Sequence, residues 1–378
     1  MKKLLLSLLV MSALMLSVVP GVFAAVTLGS SLGINFETED FPPQVWQCDH
    51  RVVYDDATEP ERISTDGQIL VERLNNYAFE GEQIKWKVLV MDKNGIDKVK
   101  DVYVTLDGNI EADCERLSDS VNFVSENTIT NGNDIIDPSC NARILEEDVD
   151  WNSDLMAYYE CTLTVETVES MDGEYEITVE AVDLTDLTGT MDEKEFWYLN
   201  PFISLGVDGT LDFGGANGVR PRTLSYSESV LVRNEADEGT GVLLDMFISG
   251  TDFYDLANSG AKCGDSNVLE LENFRYYATN GAYSTHGDTE IDIPTAGNTR
   301  DKDAEGYVNI DYGIGFNDPT TFYDNMEIIQ SSTKLGPYYA GNVLTPGAEM
   351  ALTFRLNLPE PCNGDFNSGK IYFWGEAI

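Results

Sequence analysis

Hydrolytic chemistry of the Ser-His-Asp kind needs an imidazole, and this chain of 378 residues carries two, His50 and His286. His50 stands beside Cys48 and Asp49, and His286 lies in the turn-like Thr285-His286-Gly287-Asp288. Both read as surface or turn histidines rather than catalytic bases. Carboxylates are abundant, 66 Asp and Glu in all, so any two could be set up as the acid and base of a glycosidase and their number singles out none. Glu37, Glu39 and Asp40 cluster, which a solvated acidic strand end also explains. With two imidazoles and no Cys-x-x-Cys pair, a tetrahedral zinc site is not expected. The remaining chemistry is hard-oxygen cation binding, for which calcium is the fitting ion. The donor sets are Asp92, Asn94 and Asp97 in Asp92-Lys93-Asn94-Gly95-Ile96-Asp97, and Asn131, Asn133 and Asp134 in Asn131-Gly132-Asn133-Asp134. Gly95 is the fourth residue of its loop where the EF-hand template needs the sixth, and acidic turns of this type also form without metal. No phosphate-binding glycine loop is present. The expectation is a non-catalytic protein with no resident cofactor, calcium being the one ligand its donors suit.

What would hold such loops in place is a set of strands and disulfides. Met1-Lys2-Lys3, the apolar run Leu4 to Val19, Pro20-Gly21 and Val22-Phe23-Ala24 have the three-part layout of a secretory signal, with cleavage expected after Ala24. No comparable apolar stretch, lipid attachment cysteine or sorting tail follows, so no membrane span is expected after cleavage and retention at a cell surface would be non-covalent. All six cysteines lie beyond the signal: Cys48, Cys114, Cys140, Cys161, Cys263 and Cys362. An even number in an exported chain reads as up to three disulfides. If two domains fold independently, Cys263 pairs with Cys362, and the pairing of the other four stays open.

Period-two alternation marks strands with one buried face: Ile84, Trp86, Val88, Val90; Val102, Val104, Leu106; Tyr159, Cys161, Leu163, Val165; and Tyr175, Ile177, Val179, Ala181. After a break at Leu199-Asn200-Pro201 the pattern resumes with Val242, Leu244, Met246, Ile248 and with Met350, Leu352, Phe354, Leu356, Leu358. Ile371 to Trp374 is apolar on both faces, which predicts a central strand or one covered by a partner. No amphipathic helix of three turns is evident. The fold class is therefore all-β: a signal at 1–24, an N-terminal strand and extension at 25–74, an immunoglobulin-like sandwich at 75–200 and a second sandwich or jelly-roll-like domain at 201–378. Val26, Leu28, Leu32, Ile34 and Phe36 outline a strand without an evident hairpin partner, which could complete a neighbour's sheet. Ser31-Leu32-Gly33-Ile34 in that strand is echoed by Ser204-Leu205-Gly206-Val207.

The net charge of −43 opposes binding to nucleic acid or anionic lipid and favours cations and solubility. Gly173-Glu174-Tyr175-Glu176-Ile177-Thr178-Val179-Glu180-Ala181-Val182-Asp183 resembles the penultimate strand of immunoglobulin-like modules of microbial surface proteins, and that resemblance makes Trp86 the core aromatic of an early strand. Glu39-Asp40-Phe41, Val45 to Val53, Gly241 to Asp255, Pro346 to Met350 and Leu358 to Phe366 together are similar to an uncharacterised family of exported proteins of small-genome archaea. That likeness implies location and architecture only. These readings point to a secreted or cell-surface protein with a structural or adhesive role, as a layer or filament subunit or a cell-contact module. Its partners would be itself or other envelope proteins. Trp46 and Trp151 read first as core residues; taken instead as exposed loop aromatics, they motivate the alternative of a carbohydrate-binding or carbohydrate-cleaving protein, with glycans as partners.

Overall fold

The computed structural model describes residues 38–55, 69–70, 73–117, 136–141, 143–144, 149–191, 194–214, 218–287, 300–313 and 326–378. The signal at 1–24 and the strand outlined by Val26, Leu28, Leu32, Ile34 and Phe36 lie outside them, as do Asn131, Asn133 and Asp134. Residues 42–378 form one compact unit. It is all-β: α-helical backbone among the described residues is confined to the single turn α1, Pro138–Asn141, and to Met326.

The first sandwich is built from β1 (Gln44–Tyr54), β2 (Tyr77–Ala78), β3 (Gln83–Met91), β4 (Val99–Leu106), β5 (Ile110–Arg116), β6 (Met156–Thr164), β7 (Gly173–Asp183), β8 (Thr188–Thr190) and β9 (Glu195–Leu199). Hydrogen bonds link them in the order β1-β3-β6-β5-β4-β7-β9-β2, with β8 beside β7. β5 carries the sheet from one layer to the other. Its first half pairs with β4, Leu106 opposite Ile110, and its second half pairs with β6, Cys114 opposite Cys161. The alternating residues of β3, β4, β6 and β7 fill the space between the layers, and Trp86 of β3 meets Trp197 of β9 edge to face at 5.6 Å. Trp86 is thus the core aromatic of an early strand, buried to 1% exposure.

Two features of this sandwich differ from the sequence expectation. Residues 44–54, assigned by pattern to the N-terminal extension, are strand β1 of the sheet, paired antiparallel with β3 around a bulge between Gln47 and Arg51. The bulge breaks the period-two signal by which the strand would have been read. β3 is also buried on both faces, because Lys87, Leu89 and Met91 on its outer side are covered by a second cluster containing Cys48, Ile136, Cys140 and Met156.

β10 (Leu205–Asp208) opens the second sandwich, followed by β11 (Leu224–Asn234), β12 (Leu244–Gly250), β13 (Phe274–Asn280), β14 (Val343–Leu344), β15 (Glu349–Asn357) and β16 (Ile371–Ala377). One sheet runs β10-β11-β15-β13 and the facing sheet β14-β12-β16, all antiparallel. Val230, Val232, Leu352, Phe354 and Tyr276 from the first sheet close on Leu244, Met246 and Ile248 from the second, and Phe354 meets Phe373 edge to face at 6.4 Å. β16, with its apolar residues on both faces, is a sheet-end strand rather than a central one: among the described residues it pairs with β12 alone. Its Ile371 and Phe373 pack on the core, while Trp374 on the other face packs on Phe247 and Met326.

The two sandwiches interlock. Tyr77 belongs to β2 of the first, yet its ring is fully buried in the core of the second. The Arg73 guanidinium lies 5.0 Å from the rings of both Tyr77 and Phe79, pairs with Glu82 at 2.5 Å and donates to the carbonyl of Ala377 at 2.8 Å. Asn75 donates across the same junction to the Gly241 carbonyl at 2.6 Å.

Three disulfides staple the unit. Cys114–Cys161 and Cys263–Cys362 join residues directly opposite each other on neighbouring strands, and Cys48–Cys140 ties β1 to α1. Cys263 and Cys362 meet within the second sandwich, although the two sandwiches share core residues instead of standing apart.

Candidate functional site

β12 reads as a strand with one apolar face, and the side chains between Leu244, Met246 and Ile248 are Asp245, Phe247 and Ser249. All seven residues of the strand are buried. The outer face is covered by the segment 326–344, which returns across it before β15. Asn342, wholly buried, clamps that cover down. Its amide donates to the Asp245 carboxylate and to the Met246 carbonyl, both at 2.7 Å, and its side-chain oxygen accepts from the backbone N–H groups of Ile328 at 2.9 Å and Ile329 at 3.0 Å. Glu327 sits on the same cover, 9% exposed, and accepts from Gln330 at 3.3 Å. Arg300 donates to the carbonyl of Glu327 and to the hydroxyl of Tyr276, which in turn donates to the Ile328 carbonyl at 2.9 Å.

The result is two buried carboxyl groups, Asp245 on β12 and Glu327 on the segment that covers it. Burial drives Asp245 up to about 7, opposed by the Asn342 hydrogen bond and reinforced by the charge of Glu376, its neighbour across the β12–β16 pair. Burial also raises Glu327 well above the usual carboxylate range; the charge on Asp245 adds to this, and the charges of Arg300 and Lys334 oppose it. The charge on Asp245 raises the proton affinity of Glu327, since two like charges in a low-dielectric site cannot both ionise cheaply. Asp245 is 1% exposed, so the pair meets solvent or a ligand only when the 326–344 cover moves. Sequence reasoning missed it because an acidic residue between apolar neighbours on a strand reads as the solvent side of an alternation.

Of the cation donors expected around Asp92, two share a turn and the third is at the surface. Asp92 is fully buried at the end of β3, where Oδ1 accepts the N–H of Asn94 at 2.7 Å and its carbonyl accepts that of Gly95 at 3.0 Å, so Asp92 and Asn94 build a turn. Asp97 points outward, its side chain 93% exposed and 3.3 Å from Arg116. Among the described residues no group of three or more His, Cys, Asp or Glu side chains could hold a metal ion. His286 is exposed on its turn, and His50 falls within β1.

Trp46 and Trp151 are half-buried and pack in the cluster beneath the Cys48–Cys140 bridge. Trp151 stacks on Tyr158 at 5.1 Å, and Lys87 lies 4.4 Å from the Tyr158 ring while pairing with Asp137 at 2.7 Å. Burial lowers the Lys87 ammonium despite that partner. Burial also pushes Asp137 upward, but hydrogen bonds from Lys87 and Ser139 outweigh it and hold the carboxyl below its ordinary value. A different aromatic group faces outward on the second sandwich: Tyr307 lies 5.8 Å from Tyr226 and 5.7 Å from Tyr277, with the Arg355 guanidinium 4.4 Å from its ring. Arg355 also pairs with Asp303 and, at 3.1 Å, with Glu305.

No family model matches the chain, and no curated protein matches it. Among solved structures it is similar to the C-terminal domain of the Streptococcus agalactiae AgI/II polypeptide BspA, at 11% identity over 89% of this chain and 97% of that one, with a TM-score of 0.28. It is similar to the C-terminal domain of the Streptococcus pyogenes antigen I/II-family protein AspA, at 8% identity over 90% and 97%, TM-score 0.26. The collagen adhesin of S. aureus follows at 10% identity over 88% and 87%, TM-score 0.18. These are likenesses of β-rich architecture at low identity and assign no role to any residue here.

Proposed function

We propose that the chain is an exported, non-catalytic surface protein with a structural or adhesive role, a subunit of a layer or filament or a module of cell contact. The observation that carries this reading is the junction of the sandwiches. Tyr77, Arg73 and Asn75 lock two disulfide-bonded β units into a single body, which suits a part that must hold its shape outside the cell, where disulfides persist. Strong net negative charge keeps such bodies dispersed until a specific contact joins them, and it makes calcium a fitting bridge between copies.

Electron microscopy and light scattering of the purified mature protein, with and without calcium, test the reading. Fibres, sheets or defined oligomers are expected, together with retention on the cell surface. A protein that stays monomeric at high concentration in both conditions and is lost to the medium would refute it.

A second reading has its own observation. Tyr226, 47% exposed beside Tyr277 and Tyr307 and flanked by Arg355 and Glu305, offers a stacking ring with hydrogen-bonding neighbours, as sugar recognition requires. A glycan array on wild type and Tyr226→Ala tests it, with binding present in the first and lost in the second.

A further inference from the structure

β10 is the end strand of its sheet. It pairs with β11 from Leu205 opposite Asn234 to Asp208 opposite Leu231, and among the described residues nothing pairs with its other edge. Sheet ends of this kind are ordinarily blunted by lysine, proline or a bulge, because an open row of N–H and C=O groups invites another chain. Here residues 202–207 carry no charge and no proline. Phe202, Ile203, Val207 and Leu211 are 63%, 40%, 52% and 40% exposed, apolar side chains on and flanking β10 that the other described residues leave uncovered.

The sequence contains a matching strand. Residues 25–36 are also uncharged, with Val26, Leu28, Leu32, Ile34 and Phe36 at period two and Gly29, Ser31 and Gly33 between them. In a chain of net charge −43, copies repel one another, so two neutral segments are where close approach costs least. Ser31-Leu32-Gly33-Ile34 repeats, with one conservative change, the residues Ser204-Leu205-Gly206-Val207 that form the start of β10. An antiparallel register that sets Leu32 beside Val207 also sets Leu28 beside Leu211, Ile34 beside Leu205 and Phe36 beside Ile203. Apolar residues then meet at four positions on one face, with Ser30 beside Gly209 between the Leu32 and Leu28 pairs and Leu211 lying past the end of β10, and a shift by one residue would destroy all four pairs.

We propose that residues 26–36 of one copy add as a strand to the β10 edge of a second copy, so that the chain assembles head to tail. The inference rests on the self-assembly reading above and names its interface. Such a contact is heterologous: each copy offers one donor strand and one acceptor edge, and repetition gives an open filament.

Complementation tests it with three full-length mature proteins beginning at Ala25: wild type, a deletion of 25–36, and the edge variant Val207→Lys/Leu211→Lys. Circular dichroism and thermal melts establish that all three fold. Light scattering is expected to show wild type as oligomers and each variant alone as monomer. Mixed in equal amounts, the deletion, which keeps its edge, and the edge variant, which keeps its strand, are expected to form a 1:1 dimer and nothing larger. Oligomers of wild type that persist in the deletion would overturn the interface while leaving the surface role standing. Failure of the mixture to dimerise would overturn it as well. Wild type that is monomeric at every concentration and with calcium would overturn both.

Discussion

Asp245 and Asn342 show how one buried contact sets the behaviour of a whole segment. The folded chain holds Asp245 near 7, whereas an unfolded chain releases the proton near the ordinary 3.8. Stability from this group is therefore complete below about pH 4 and is lost as pH rises toward 7, levelling off beyond; the raised Glu327 acts with the same sign. Asp137, held low by Lys87, acts oppositely and weakens the fold as pH falls through its depressed value. Urea unfolding across pH 4.5 to 8.5 is expected to show stability falling through this window. In Asp245→Asn, which keeps an acceptor for Asn342 without the charge, the slope should flatten and stability at pH 8 should rise; an unchanged profile would mean the carboxyl is not buried as described. Asn342→Ala removes four hydrogen bonds and takes the side-chain acceptor from the backbone N–H of Ile329, while the N–H of Ile328 keeps the Met246 carbonyl at 3.1 Å. A loss of about 2 to 4 kcal/mol in chemical denaturation is expected, with faster hydrogen exchange across 326–344.

Strands and staples show a division of labour. β4, β7 and β15 follow the alternation of their sequence and carry no disulfide, whereas β1 is held to β3 across a bulge and is fastened from outside by Cys48–Cys140. That bridge closes a sequence separation of 92 residues, for which restricting the unfolded chain contributes roughly 2 to 4 kcal/mol. The Cys48→Ser/Cys140→Ser protein is expected to lose stability of this order and to become protease-sensitive first between 136 and 158, with a shift in Trp46 and Trp151 fluorescence as their cluster loosens. Cleavage beginning in the second sandwich would contradict this placement.

The body as a whole is decided at the junction. Because Tyr77 fills the core of the sandwich it does not belong to, the two halves are expected to unfold together. Calorimetry should show one transition for the wild type. Tyr77→Ala removes a fully buried ring and the cation–π contact with Arg73, at a cost of about 3 to 5 kcal/mol, and should split the trace into two transitions. A single transition retained in the variant would show that Arg73 and Asn75 suffice to couple the halves.

The all-β class, the four alternating strands before Asn200, the apolar face of β12 and the burial of Trp86 were legible in the sequence, because each is a local period repeated over enough residues to name its buried side. So was the pairing of Cys263 with Cys362, given separate domains, since it needs only that each half close on itself. Other features depend on which residues the chain brings back from far away. The pairing of the four earlier cysteines, the end position of β16, and the inward turn of Trp46 and Trp151 belong to this group. Asp92 and Asn94 make a turn while Asp97 turns outward to Arg116, an arrangement that acidic spacing alone does not reveal. Asp245 is the sharpest case: its neighbours announce a strand, but only the return of residues 326–344 over that strand removes its carboxyl from water and moves its proton affinity. Periodicity reports which side of a strand is apolar; whether the other side is also covered is a property of the packed chain.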